Sequence, residues 1–135
     1  MSWCLGNGEP IVYSWGKTDL KQILREAALK GIEFSPEEQQ IFARWRDLQQ
    51  EFDELVKSVQ DTSLGHAAAM CGFAEEGKAH DAYWDAWNTA RIYEATRDRE
   101  AFVRSIEKVN RILNENTEPV TLGSLIDFSG IVPSA

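Results

Sequence analysis

The sequence predicts an all-α protein: a single-domain helical bundle of four to five helices with an extended N-terminal arm and a docked C-terminal tail. Three observations carry this. Ile41, Trp45, Leu48, Phe52, Leu55 and Val59 are spaced four, three, four, three, four. A helix gathers such residues into one apolar stripe that packs along another helix. Phe102, Ile106, Val109 and Leu113 repeat the rhythm. The helix punctuation between these stripes is strong, above all at Ser35-Pro36-Glu37-Glu38.

The elements follow in order. Gly6, Gly8, Pro10 and Gly16 make residues 1–16 too glycine-rich for a helix. The run Ile11-Val12-Tyr13-Ser14-Trp15 is β-prone. Its only strand-like partner in the sequence is Pro119-Val120-Thr121-Leu122, so the segment is expected to be an arm pinned by Trp3 and Trp15. Asp19, with Gln22 three residues on, is expected to cap a first helix lined by Leu20, Ile23, Leu24 and Ala27. Gly31 ends it in a left-handed cap, with Ile32 making the apolar contact that accompanies one. A second helix is expected from Pro36 to about Gln60, capped by Ser35. Asp61-Thr62-Ser63 is a break and a fresh cap. Residues 63–95 form two helices or one bent helix. Gly77 is the end or kink, and helical spacing resumes from Lys78 to about Ala95. Thr96 or Asp98 caps the last long helix, which Asn114 to Pro119 stops. The expected bundle covers residues 19–116. The tail, 117–135, holds Val120, Leu122, Leu125, Ile126, Phe128, Ile131 and Val132, too apolar to be left in water.

Composition bounds the function. With 135 residues, the chain fits one domain of common size. No run approaches the ~20 apolar residues of a membrane span, and the N-terminus lacks the basic and apolar regions of a secretory signal. Two cysteines, Cys4 and Cys71, without further thiols or histidines at ligand spacing, suggest reduced thiols in a cytoplasmic protein. The formal charge is −8, which disfavours direct binding of nucleic acid. Residues 36–95 carry −7 of it.

No catalytic constellation emerges. There is no Gly-x-Ser-x-Gly, and Gly6-Asn7-Gly8 precedes a strand-prone run instead of following one. Cys71 lies in an alanine-rich stretch that suits inert core. On a helix, Glu76 and His80 would face the same way. Together with Glu51, Glu54 and Asp81 they define an alternative reading, a Mg²⁺-dependent all-α hydrolase of nucleotides or other phosphorylated small molecules. The spacing of acids does not match that chemistry, so no cofactor is expected outside this alternative.

Five tryptophans in a chain this short is a surplus. Tyr83, Trp84 and Trp87 cover a wide arc, so a helix carrying them and Tyr93 is either buried all round or shows aromatics outward, and outward aromatics beside acids suit a protein-binding surface. The principal expectation is therefore a non-enzymatic, acidic protein-binding module: an inhibitor, immunity or adaptor protein. A variant is a phage or mobile-element antagonist of a nucleic-acid-binding host protein. The candidate partner-binding residues are Tyr83, Trp84 and Trp87 with Asp47, Glu51, Glu54, Asp81 and Asp85. A self-assembling structural protein, a homodimer joined along the Ile41–Val59 stripe, is a further alternative.

Overall fold

A computed structural model describes residues 8–115. They form six helices and one two-stranded pairing, so the all-α expectation holds. The chain divides into two compact units, Met1–Leu48 and Gln49–Ala135. Trp3 and Cys4, and the tail expected at 117–135, lie outside the described residues.

In the first unit, β1 (Tyr13–Ser14) precedes α1 (Thr18–Lys30), α2 (Pro36–Ala43) and β2 (Arg46–Asp47). Asp19 is not the cap of α1. Lys17 occupies that position without a side-chain bond, and Asp19 lies inside the first turn, where its charge suits the helix dipole. The other end is as expected. Gly31 takes φ 65°, and Ile32 N–H donates to the Ala27 carbonyl at 2.9 Å, the Schellman closure that a left-handed glycine allows. Ser35 builds the full capping box on α2, with Glu38 N–H donating to Ser35 Oγ and Ser35 N–H to Glu38 Oε2.

The single helix expected from Pro36 to Gln60 is not formed. It stops at Ala43, and the chain turns through Arg44 and Trp45 into β2, which pairs in parallel with β1 (Tyr13 with Arg46, Ser14 with Asp47). The strand-prone segment thus finds a partner in the middle of the apolar stripe; Pro119–Leu122 lies outside the described residues. The hydrogen bonds explain the choice. Arg46 N–H donates to the Val12 carbonyl at 2.8 Å, and Gly16 N–H donates to Asp47 Oδ1 at 3.1 Å. The Trp45 indole N–H donates to Ser14 Oγ at 2.8 Å, and that hydroxyl donates to the Gly16 carbonyl at 2.7 Å. A backbone group that a helix would satisfy by itself instead satisfies residues 12–16, which are not helical. Phe34, Phe42 and Trp45 add an aromatic cluster, with ring centroids 4.6 and 6.5 Å apart.

The second unit holds most of α3 (Leu48–Val56), then α4 (Leu64–Met70), α5 (Ala82–Thr96) and α6 (Arg99–Glu115). α3 ends at Val56 because Lys57 turns left-handed at φ 54° and Ser58 N–H closes on the Asp53 carbonyl at 2.9 Å. Val59, expected in the stripe, is consequently 92% exposed, and Val56 is buried where Leu55 is only half-buried. The loop is tied back to α3 at one residue. Thr62 N–H donates to the Asp53 carboxylate, and Gln49 Nε2 donates to the Thr62 carbonyl at 2.8 Å. Ser63 caps α4 as expected. Residues 71–81 are not helical, so α5 begins at Ala82, capped by Asp81, and not at Lys78. Asp98 caps α6, its Oδ1 accepting from Ala101 N–H at 2.9 Å. Ala67 and Ala68 of α4 are fully buried, and α4 packs against α5 through this small-residue face. Phe52 of α3 and Phe102 of α6 meet with centroids 5.8 Å apart, and Ile92 and Ile106 are buried.

Candidate aromatic surface on helix α5

The inner face of α5 is fixed first. Asn88, Thr89 and Ile92 are buried. Asn88 treats the backbone of Glu76 as a strand would. Its Oδ1 accepts the Glu76 N–H and its Nδ2 donates to the Glu76 carbonyl, both at 3.0 Å. Arg91 completes the clamp, its guanidinium 3.9 Å from the centre of the Phe73 ring and paired with the Glu76 carboxylate. The 71–81 segment is thus held to α5 by side chains, in place of the helix expected there.

This corrects the Glu76–His80 pair. The two residues share no helix face, because neither is on a helix. Glu76 engages Arg91, and His80 is exposed in the left-handed region at φ 63°. Among the described residues no three His, Cys, Asp or Glu side chains gather as a metal-binding group, so Glu51, Glu54, Glu76, His80 and Asp81 are not assembled into one. Burial pushes the Cys71 thiol up to about 12, which keeps it neutral and un-nucleophilic near pH 7.

The opposite face of α5 turns outward. Tyr83 is 66% and Trp87 46% exposed. They are four residues apart and so stand on one face. Ala86, Ala90 and Glu94 continue that face and are exposed too. Trp84 turns aside. It is half-buried, meets Tyr83 edge-on at 5.2 Å, and covers Gly77. Gly77 has φ 77°, and any Cβ there would drive into the indole ring. The three aromatics therefore split: Tyr83 and Trp87 face out, while Trp84 closes the loop.

Of the acids expected beside them, Asp81 is the exposed N-cap of α5. Asp85 is half-buried, on the helix side that carries Asn88, Thr89 and Ile92. Asp47 belongs to the first unit and accepts the Gly16 N–H. Glu51 is half-buried on α3, and Glu54 accepts from Gln50 Nε2 at 3.0 Å. Sequence reasoning did not assign Ala86 and Ala90 to the outward face; their spacing of three and seven residues from Tyr83 was the available signal.

In the first unit two grooves open, one of about 470 Å³ beside Arg44, Trp45 and Glu9, the other of about 500 Å³ between α1 and Ile32–Phe34. Arg44 is paired with Glu9 at 3.2 Å.

Fold and surface together define a mainly helical protein with an outward aromatic helix face. Among the described residues no helix is long and apolar enough to cross a membrane. The chain matches no known protein family, no characterised protein and no solved structure.

Proposed function

We propose that the chain is a non-enzymatic protein-binding module, of the inhibitor, immunity-protein or adaptor kind, which meets its partner through Tyr83 and Trp87. The observation behind this is their joint exposure on one face of α5, while neighbouring Asn88 and Ile92 are almost completely buried. A large aromatic contributes 150–250 Å² of contact surface. Sealing two against a partner at about 25 cal/mol per Å² contributes several kcal/mol, the scale of an interface anchor. The charge of −7 over residues 36–95 favours a partner with a basic surface. Nucleic-acid-binding proteins have such surfaces, so antagonism of one by a phage or mobile element is the specific form of this proposal.

Affinity capture with the wild-type chain and with a Tyr83→Ser, Trp87→Ser variant tests it. Both residues are exposed, so the variant should keep its circular dichroism and melting temperature. Its captured partner should drop by about tenfold or more, as loss of an anchor worth ~1.4 kcal/mol or more requires. A partner captured equally by both chains would overturn the assignment.

A further inference from the structure

We propose that the segment 71–81 governs the docking face on α5: closed on the helix, it seats Trp84, and Trp84 in turn fixes Tyr83. The inference rests on reading Tyr83 and Trp87 as that face, and it assigns Trp84 as a positioning residue for one of them. The two aromatics are not equally secured. Trp87 stands in the second turn of α5, directly before the buried Asn88 and Thr89. Tyr83 stands in the first turn, where backbone N–H groups have no partner inside the helix. Its own N–H is held by the exposed Asp81 carboxylate at 3.1 Å. Its ring rests on Trp84, with 5.2 Å between centroids and 83° between planes, a preferred aromatic geometry. Adjacent helix residues point about 100° apart and do not ordinarily face each other. This contact therefore depends on where the indole leans. It leans over Gly77, whose missing side chain leaves room for it.

Gly77 is kept in place through its neighbour. The N–H and carbonyl of Glu76 are both bonded to the Asn88 amide at 3.0 Å, and the Glu76 carboxylate is paired with Arg91. Asn88 is almost completely buried, so the latch is fixed on the helix side. The other side is lightly held. Residues 74–81 are all exposed and none is helical, the profile of a part that opens before its helices do. When it opens, Gly77 leaves the indole, and the ring that supports Tyr83 loses its seat. A side chain already fixed binds more tightly than a free one, because ordering it on binding costs affinity. Closure of the segment therefore prepares the Tyr83 half of the face and leaves the Trp87 half as it was.

Nuclear magnetic resonance on the full chain reads this without any partner. In the wild type, the three-bond couplings of Tyr83 should report one side-chain rotamer, with cross-relaxation between its ring and the Trp84 indole. Gly77→Ala should unseat the indole, so that the couplings average over rotamers and the cross-relaxation is lost. Trp84→Ala should average the couplings in the same way with the loop backbone untouched, which keeps the test decisive if Gly77→Ala fails to fold. Trp84→Phe, which retains an aromatic ring, should keep the single rotamer. Glu76→Gln, which removes only the ion pair to Arg91, should quicken amide exchange across 71–81 and loosen Tyr83 with it. Trp87 should keep its rotamer in every variant. Tyr83 averaged in the wild type, Tyr83 still fixed in Trp84→Ala, Trp84→Phe no better than Trp84→Ala, or Trp87 loosened alongside Tyr83 overturns the positioning role. A loose Tyr83 in the wild type, beside capture lost on the Tyr83→Ser, Trp87→Ser change, overturns this inference alone. A fixed Tyr83 that Trp84→Ala frees, beside capture indifferent to that change, overturns the partner reading alone.

Discussion

Helix α1 of the first unit and helix α6 of the second carry similar apolar spacing, and the two are treated differently. On α6, Phe102 and Ile106 are buried, and Phe102 meets Phe52 of α3. On α1, Leu20 is half-buried, Ile23 and Leu24 are exposed, and only Ala27 is buried. Periodicity marks which side of a helix is oily. It does not say that anything covers that side. In the first unit the burial is concentrated instead at residues 12–16 and 34–47, where an aromatic cluster and the Ser14–Trp45 bond hold the chain. In the second, three helices contribute large side chains to one another.

The largest test of this contrast is Phe52→Ala. Phe52 is 1% exposed, and deleting a buried phenylalanine costs ~3–5 kcal/mol. Urea melts should show that loss. A change below ~1 kcal/mol would place the stability of the second unit elsewhere. The same scale predicts a smaller loss from Ile23→Ala on α1, because that side chain is only partly covered.

Asn88→Ala is next. It removes no large apolar surface, yet it strands both the N–H and the carbonyl of Glu76. Losing two part-buried hydrogen bonds costs about 1–2 kcal/mol. Amide hydrogen exchange should quicken across residues 71–81 in this variant before the rest of the unit responds. Unchanged exchange there would show that Arg91 and Phe73 alone hold the segment.

These two residues also mark what was legible beforehand. Phe52 was, because helical periodicity needs only local spacing. So were Ser35, Gly31, Ser63 and Asp98, since a cap is chosen within three or four residues. The break at Arg44–Trp45 was not. It depends on bonds between residues 12–16 and 45–47, some thirty positions apart, and the local pattern there is that of an unbroken helix. Asn88 and Glu76 were equally hidden, because an asparagine in a helix gives no sign that it will clamp a distant peptide. For the candidate surface, Tyr83 and Trp87 were found from their abundance and spacing. That Trp84 leaves their face was legible from helix phase, and Gly77 as a break from its residue type; that the Trp84 ring covers Gly77 was not, because the contact joins a loop to a helix. The half-buried place of Asp85 was not read, because charge summed along a sequence ignores helix phase.

Ser14→Ala tests the first unit on its own terms. Ser14 is buried and its hydroxyl both accepts from the Trp45 indole and donates to the Gly16 carbonyl. Alanine removes both bonds and leaves the indole N–H without a partner, for a loss of ~1–2 kcal/mol. The emission of Trp45, isolated by changing the other four tryptophans to phenylalanine in both backgrounds, should shift to the red as water reaches the ring. Emission unchanged in wavelength would show that the aromatic cluster with Phe42 holds the indole without Ser14.

The smallest expected effect is the most direct check on α1. Leu29 is 77% exposed, and on the helix it stands away from Ala27. Leu29→Ser removes oily surface from water in both folded and unfolded chains, so the transfer term nearly cancels. What remains is the lower helix propensity of serine, about half a kcal/mol. Leu24→Ser on the partly shielded face should cost more, because Leu24 is 42% exposed and some of its surface is covered. The difference between the two substitutions therefore measures how much the first unit gains from the face of α1. If both cost the same half kcal/mol, that face contributes nothing to folding, and its apolar side chains are held in reserve for whatever surface they meet.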